Sequence, residues 1–307
     1  MEKRQLGRSS LSVSKMGLGC MSLGTNEEKA KTIIEAALEQ GITYFDTADL
    51  YDFGVNEKIV GRALHSVREE VIIATKVGNR WKDDHSSWQW DPSKAYIKEG
   101  VKNSLTRLNT DYIDLYQLHG GTMDDPLEET IEAFEELKQE GFIRSYGISS
   151  IRSNVIEEFV KKSSIDTVMM QYNLLDRRPE EIFPFLQEQG ISVVTRGPLA
   201  KGILSEAMLQ KASQKIKKEG YLDYSYLELQ ELLASINERF TSHHSMTELS
   251  LQFNLAQGAV SAVIPGASSV DQLKSNIAAA NGSNLSTEEG QLLREMTKIS
   301  FYDQHRD

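Results

Sequence analysis

The sequence contains a single cysteine, Cys20, among 307 residues. No internal disulfide can form, which suits a reducing compartment. The N-terminal stretch MEKRQLGRSSLSVSKMGLG lacks the uninterrupted apolar segment of a secretory signal. Nowhere does a run of about 18 apolar residues occur, so no membrane span is expected. With these absences the cytoplasm is the expected location. Basic residues are also short: 34 Lys and Arg against 45 Asp and Glu give a net charge of −11. An acidic surface offers no basic face to a nucleic acid. The motifs HExxH, CxxC and GxxxxGKS or GxxxxGKT are missing, so metal and nucleotide-hydrolysis chemistry lack support and no metal is expected. No linker, low-complexity segment or short-period repeat interrupts the chain, which reads as one domain, 1–307.

What is present is alternation. Short apolar runs, rich in β-branched and aromatic residues, read as buried strands at Ile42–Phe45, Val71–Ala74, Ile113–Leu118, Ser145–Ile148, Thr167–Met170, Ser192–Thr195 and Ala262–Ile264. A first strand near Lys15–Gly19 brings the number to eight. Amphipathic stretches between them predict helices over Asn26–Gln40, Pro126–Glu140, Val155–Lys162, Glu180–Gln189 and Glu248–Gln257. Eight strands alternating with helices favour a closed parallel α/β structure, the (β/α)8 TIM barrel. Leu6–Val13, a polar turn between apolar residues, predicts an N-terminal β-hairpin plugging the barrel floor. Two connections exceed what the barrel needs, Gly78–Asp91 and about Gly197–Thr241, and long connections often carry function.

In such a barrel the active site forms at the carboxyl ends of the strands. The second strand ends ITYFD, placing Asp46 there, with Tyr51 in the following TADLYDFG. The third ends IIATK, giving Lys76, and the fourth ends LYQLH, giving His119. A free tyrosine, with a pKa near 10, is a poor acid at neutral pH, and a neighbouring lysine cation lowers that value. Aspartate would hold the lysine charged, and histidine would orient a carbonyl oxygen. The constellation suits proton delivery to a carbonyl as hydride reaches its carbon. Side chains supply no hydride, so a cofactor is implied.

The segments LGRSSLSVSKMGLGCMSLG, GITYFDTADLYDFGVNEKIVGRAL, VIIATKVG, LNTDYIDLYQLHG, GISS, MMQYNLLDR, GPLAKGIL and VIPGASSVDQLKSN make the sequence resemble the aldo-keto reductase superfamily along nearly its whole length. The resemblance implies a reductase of small aldehydes or ketones. Tyr51 would be its general acid, Lys76 and Asp46 would tune that acid, and His119 would orient the substrate. It also implies a monomer and NADPH as cofactor, with NADH possible. Ser149 and Gln171 match the residues that hold the nicotinamide amide, and Asn276 matches the adenine-side asparagine. Ser150 stands where asparagine is common, and Arg196 where an aromatic usually stacks. Gly19, Asp46, Gly197, Pro198, Leu199, Gly202, Gly266, Ser268 and Gln272 complete the implied cofactor site. Relatives often carry lysine and arginine at the positions of Gly266 and Gln272 to grip a 2′-phosphate. Their replacement leaves Lys274 or the Lys211–Lys218 cluster to compensate.

Trp81, Trp88 and Trp90 all lie in the connection after the third strand, as a substrate wall or as pins for the loop. Cys20 reads as a packed residue, with no base beside it. Two rival functions stay open: a cofactor-binding regulatory subunit with little turnover, and an aldolase using Lys76 as a Schiff base.

Overall fold

The computed structural model describes residues 1–82, 84–240 and 242–302, apart from the Lys211 side chain. The chain opens with an antiparallel hairpin of β1 (Lys3–Gln5) and β2 (Ser12–Ser14). The first barrel strands follow: β3 (Leu18–Gly19), β4 (Tyr44–Asp46) and β5 (Ile72–Val77). A second antiparallel hairpin, β6 (Asn79–Trp81) and β7 (Trp88–Trp90), stands outside the barrel. The remaining barrel strands are β8 (Ile113–Leu118), β9 (Ile143–Ser149), β10 (Thr167–Gln171), β11 (Ser192–Arg196) and β12 (Val260–Ile264). The eight pair in parallel in the order β12-β11-β10-β9-β8-β5-β4-β3. Parallel bridges Met16–Val263 and Gly19–Gly266 join the last strand to the first, giving the expected (β/α)8 TIM barrel.

The helices are α1 (Glu27–Glu39), α2 (Val55–Leu64), α3 (Lys94–Leu108), α4 (Leu127–Gln139), α5 (Ser153–Lys162), α6 (Phe183–Glu188), α7 (Gln214–Glu219), α8 (Tyr226–Phe240), α9 (Met246–Leu255), α10 (Val270–Ala280) and α11 (Thr287–Met296). In α1 the Asn26 side chain accepts the Lys29 amide at 3.0 Å, acidic Glu27 and Glu28 occupy the first turn, and Ile33, Ile34 and Ala37 face inward. The helix expected over Glu180–Gln189 is broken. A 3-10 turn covers Arg178–Glu181 and α6 begins at Phe183. Pro184 has no amide to bond back into the preceding turn, so one continuous helix cannot form. The long connection after β11 carries α7 and α8, which its irregular patterning did not reveal; its end at Thr241 lies outside the described residues.

Two apolar cores result. One fills the space between the strands and the surrounding helices. The other lies inside the barrel, where Tyr44, Ala74, Leu115, Met169, Val194 and Ala262 meet Leu6, Leu11 and Val13 of the N-terminal hairpin. The hairpin therefore plugs the floor, and the Gly7 amide ties its turn to Ser192 Oγ at 2.7 Å. Burial of each of its three apolar side chains contributes about 1.5–3 kcal/mol. With the floor sealed, only the carboxyl ends of the strands remain open.

Close packing of α2 on α3 depends on Gly61, where a Cβ would lie 2.2 Å from the Leu108 carbonyl oxygen. Alanine would favour the helix by up to about 1 kcal/mol, but overpacking costs about 1–3 kcal/mol. Gly61→Ala is therefore expected to lower the melting temperature by several degrees in a thermal scan, and an unchanged or raised value would refute the packing argument.

Candidate active site

Parallel register brings Asp46 level with Ala74 and Lys76 level with Gln117, so the ends of β4, β5 and β8 share one rim. Lys76 is wholly buried, and its Nζ donates to Asp46 Oδ1 and to the Thr47 carbonyl, each at 2.7 Å. The same ammonium lies 5.2 Å from the centre of the Tyr51 ring. His119 meets that ring edge-on, with centroids 6.1 Å apart and planes at 82°. The four side chains named from the sequence thus form one cluster.

Burial would lower the pKa of Lys76, but Asp46 and Tyr51 outweigh it and raise the value, so the ammonium is retained. Burial raises Asp46, with Lys76 opposing. For Tyr51 the expected net lowering is corrected. Lys76 does pull its pKa down, but burial of the phenol acts more strongly, and the net direction is upward. His119 moves the other way, to about 3, through burial and the positive charges of Lys76 and Arg196. It is a neutral imidazole near pH 7, with a buried Nδ1 that no group pairs.

That depression has a stability consequence. The ordinary histidine value is about 6.5, so between there and about 3 the unfolded chain binds a proton that folded His119 refuses. The resulting stability is complete above pH 6.5 and lost as the pH falls toward 3. His119→Gln is expected to flatten the acid limb of the stability curve over that window in urea titrations at stepped pH. Parallel curves for the two proteins would refute the neutral assignment.

Above the cluster opens a cavity of about 1300 Å³. Asp46, Tyr51 and His119 line it, as does every residue named from the sequence for the cofactor except Ser268. Lys76 lies beneath the floor. Ser268 instead donates through its amide and hydroxyl to Gln272 Oε1, both at 2.9 Å. Gln171 is held on both sides, its Nε2 donating to Asp176 at 2.7 Å and its Oε1 accepting from Arg196 at 3.0 Å. Arg196 is thereby tied to Gln171 in the cavity wall, and among the described residues it makes no salt bridge. Asn276 donates to the Gly266 carbonyl at 3.2 Å.

The wall also contains residues that no sequence signal marked. Arg178 lines the cavity, pairs with Asp176 through two bonds of 2.7 and 2.8 Å, and stands 4.6 Å over the ring of Tyr302. Arg152 lines it too, with its guanidinium bonded to the Gly121 carbonyl. None of the three tryptophans lines it. Trp90 fills the space left by Gly78 and Gly120 and donates to Asp125 at 2.8 Å, so it pins the loop. Cys20 is buried, its thiol pKa pushed up by that burial, and is inert.

The donor set fits an elongated anionic nucleotide. Ser149 and Gln171 offer a hydroxyl and a carboxamide in the cavity wall, and Arg196 and Lys201 add cationic groups. Gly202 leaves open space where a side chain would project. Toward α10 the wall is neutral, with Gly266 and Gln272. Lys274 is exposed and outside the wall, and so are the described members of the Lys211–Lys218 cluster, which lie along α7 and its approach. Among the described residues no cluster of potential ligands could hold a metal, and no helix is long and apolar enough to cross a membrane.

A sealed-floor barrel with a buried lysine–aspartate pair beneath an open cavity is an enzyme-like scaffold whose chemistry the family relationship specifies. The model of the Aldo/keto reductase family matches residues 15–298, and the chain belongs to that family. It is similar to the "Uncharacterized oxidoreductase YqkF" of Bacillus subtilis (strain 168), 60% identical over 306 residues and covering 100% of both chains. The "NADH-specific methylglyoxal reductase" of Escherichia coli (strain K12) is 30% identical over 323 residues, covering 97% of this chain and 99% of that one. Among solved structures, the holo form of aldo-keto reductase AKR11C1 from Bacillus halodurans superposes with a TM-score of 0.94 at 56% identity over 100% of both chains. The protein is accordingly a nicotinamide-dependent oxidoreductase acting on carbonyl or CH–OH groups.

Proposed function

We propose that the protein is a cytoplasmic, monomeric, single-domain NADPH-dependent reductase of small aldehydes or ketones, with Tyr51 as its general acid. The observation that carries this reading is the Lys76 ammonium, held by Asp46 at 2.7 Å and placed 5.2 Å from the Tyr51 ring. When bound, the cofactor supplies the hydride that reaches the carbonyl carbon. Tyr51, kept protonated by burial, gives its proton to the carbonyl oxygen, and Lys76 stabilises the phenolate left behind. His119 is too weak a base near pH 7 to carry the proton; it hydrogen-bonds and orients the carbonyl oxygen. Ser149 and Gln171 hold the nicotinamide amide. Ser150, Arg196, Gly197, Pro198, Leu199 and Gly202 border the phosphates, and Gly19, Gly266, Gln272 and Asn276 form the adenosine end, with Ser268 bonded to Gln272 from outside the cavity. A Schiff-base role for Lys76 is disfavoured because its neighbours keep it charged. The intact proton-donating cluster favours turnover over a purely regulatory subunit.

NADH is the second reading, favoured by the neutral wall near α10 and by Gln272 being occupied with Ser268. Fluorescence titration with each cofactor separates the two. Tighter NADPH binding, expected here, means that other phosphate contacts compensate for Gly266 and Gln272. Equal or tighter NADH binding makes the enzyme NAD-linked, and binding of neither overturns the proposal.

A further inference from the structure

The backbone immediately after Tyr51 is unusual. Asp52 and Phe53 have φ of 48° and 51°, in the left-handed region, and Gly54 follows at 81°. Glycine accepts this conformation freely, but a bulky aromatic residue does so only when its surroundings impose it. The surroundings of Phe53 come from the β6–β7 hairpin. Its ring stacks on His85 with centroids 4.8 Å apart and planes at 2°, and meets Trp81 edge-on at 6.2 Å. Trp81 in turn meets His85 edge-on at 6.4 Å. Behind it, the Arg107 guanidinium lies 5.3 Å from the Trp81 ring and is paired with buried Glu57. Glu57 also accepts from Thr75, the residue before Lys76, at 2.6 Å.

The same hairpin reaches the other side of the site. Asn79, in β6, donates from Nδ2 to the His119 carbonyl at 3.2 Å. Trp90, in β7, packs against Gly120, next to His119, and against Gly78, where the hairpin leaves β5. Asn79, Trp81, His85 and Trp90 do not line the cavity, and neither does Phe53. They stand outside the cavity proposed for substrate and cofactor.

We propose that the β6–β7 hairpin is a positioning device that fixes Tyr51 and His119 relative to each other, gripping the first through Phe53 and the second through Asn79. Phe53, Trp81 and Asn79 are positioning residues. Trp81 is thus neither a substrate wall nor only a loop pin. A proton donor and a carbonyl-orienting group must address the same oxygen, and a misplacement of about 1 Å can cost a hundredfold in rate. The hairpin sets that geometry from outside the cavity, so its loss should leave cofactor binding intact.

The inference rests on the proposed acid role of Tyr51, so Tyr51→Phe is measured beside the hairpin variants. With an aldehyde that the wild type reduces, Trp81→Ala is expected to lower kcat about ten- to a hundredfold. The affinity for the preferred nicotinamide cofactor, read by fluorescence titration, should stay at the wild-type value. Trp81→Phe, which restores an aromatic edge against Phe53, should recover most of the rate. A loss of function through mere destabilisation would not show this split, because assays run well below the melting temperature would then give wild-type kcat. Wild-type kcat in Trp81→Ala, or a loss that Trp81→Phe fails to rescue, overturns the inference. Should Trp81→Ala not fold, Phe53→Leu, which keeps bulk but removes the stack, carries the same expectation and the same refutation. An inactive Tyr51→Phe beside a fully active Trp81→Ala overturns the hairpin's role alone, whereas an active Tyr51→Phe overturns the reading beneath it.

Discussion

Tyr51→Phe is expected to reduce carbonyl turnover by about 10²–10⁴-fold, the usual contribution of a positioned general acid, while binding the nicotinamide cofactor as the wild type does. The substitution removes one oxygen and keeps the ring, so the edge-on contact with His119 and the packing over Lys76 survive. No neighbour can take over the task. His119, with its pKa near 3, is a neutral imidazole near pH 7 and has no imidazolium proton to give. Lys76 has two of its three donor directions engaged by Asp46 and Thr47, and Asp46 is bonded to Lys76. The direction of the reaction gives a second readout. Reduction uses the protonated phenol, which burial favours, whereas oxidation of an alcohol needs the phenolate. In the wild type, oxidation should therefore rise with pH toward and beyond the ordinary tyrosine value of about 10, and in Tyr51→Phe that rise should vanish. Near-normal reduction by the variant, measured by cofactor absorbance, would remove Tyr51 from the acid role.

The barrel strands were legible because a strand buried on both faces is a nearly continuous apolar run. Ile113–Leu118 was located to the residue. Polar strand ends were less visible: β4 and β10 run past their apolar residues to Asp46 and Gln171, and while ITYFD placed the first at its strand end, the second lay one residue beyond the expected end, because a polar residue at a strand terminus looks like a loop. Those end residues line the cavity, so the blurred boundary and the candidate site coincide. The β6–β7 hairpin escaped notice because three-residue strands have too little alternation to register. Its tryptophans were conspicuous, but their partners, Phe53 and Gly120, come from distant segments. Tyr302 and Arg178 were invisible for the same reason, since their stacking joins the chain terminus to the loop after β10. The sign of the Tyr51 shift depended on burial, which the residue types alone could not supply.

Lys76→Met is expected to fail twice, in stability and in turnover, and a second substitution should separate the two failures. The single variant leaves the Asp46 carboxylate buried without its cation, and breaking such a pair costs about 3–5 kcal/mol. Urea denaturation should report that loss. The pH dependence should shift as well, because Asp46, already raised by burial, loses the charge that opposed the rise, so stability should fall further as the pH climbs from the ordinary aspartate value of about 3.9 through the raised folded value. Asp46→Asn combined with Lys76→Met removes both charges, and replacing a buried pair by neutral groups is often close to neutral. The double variant should therefore recover much of the lost stability. Turnover should not recover, since neither methionine nor asparagine stabilises a phenolate at Tyr51, and the rate should remain at least about a hundredfold below wild type. Recovery of stability without activity assigns Lys76 to the proton transfer. Recovery of both would reduce the pair to a structural element of the barrel rim and leave Tyr51 without the charge that its proposed role requires.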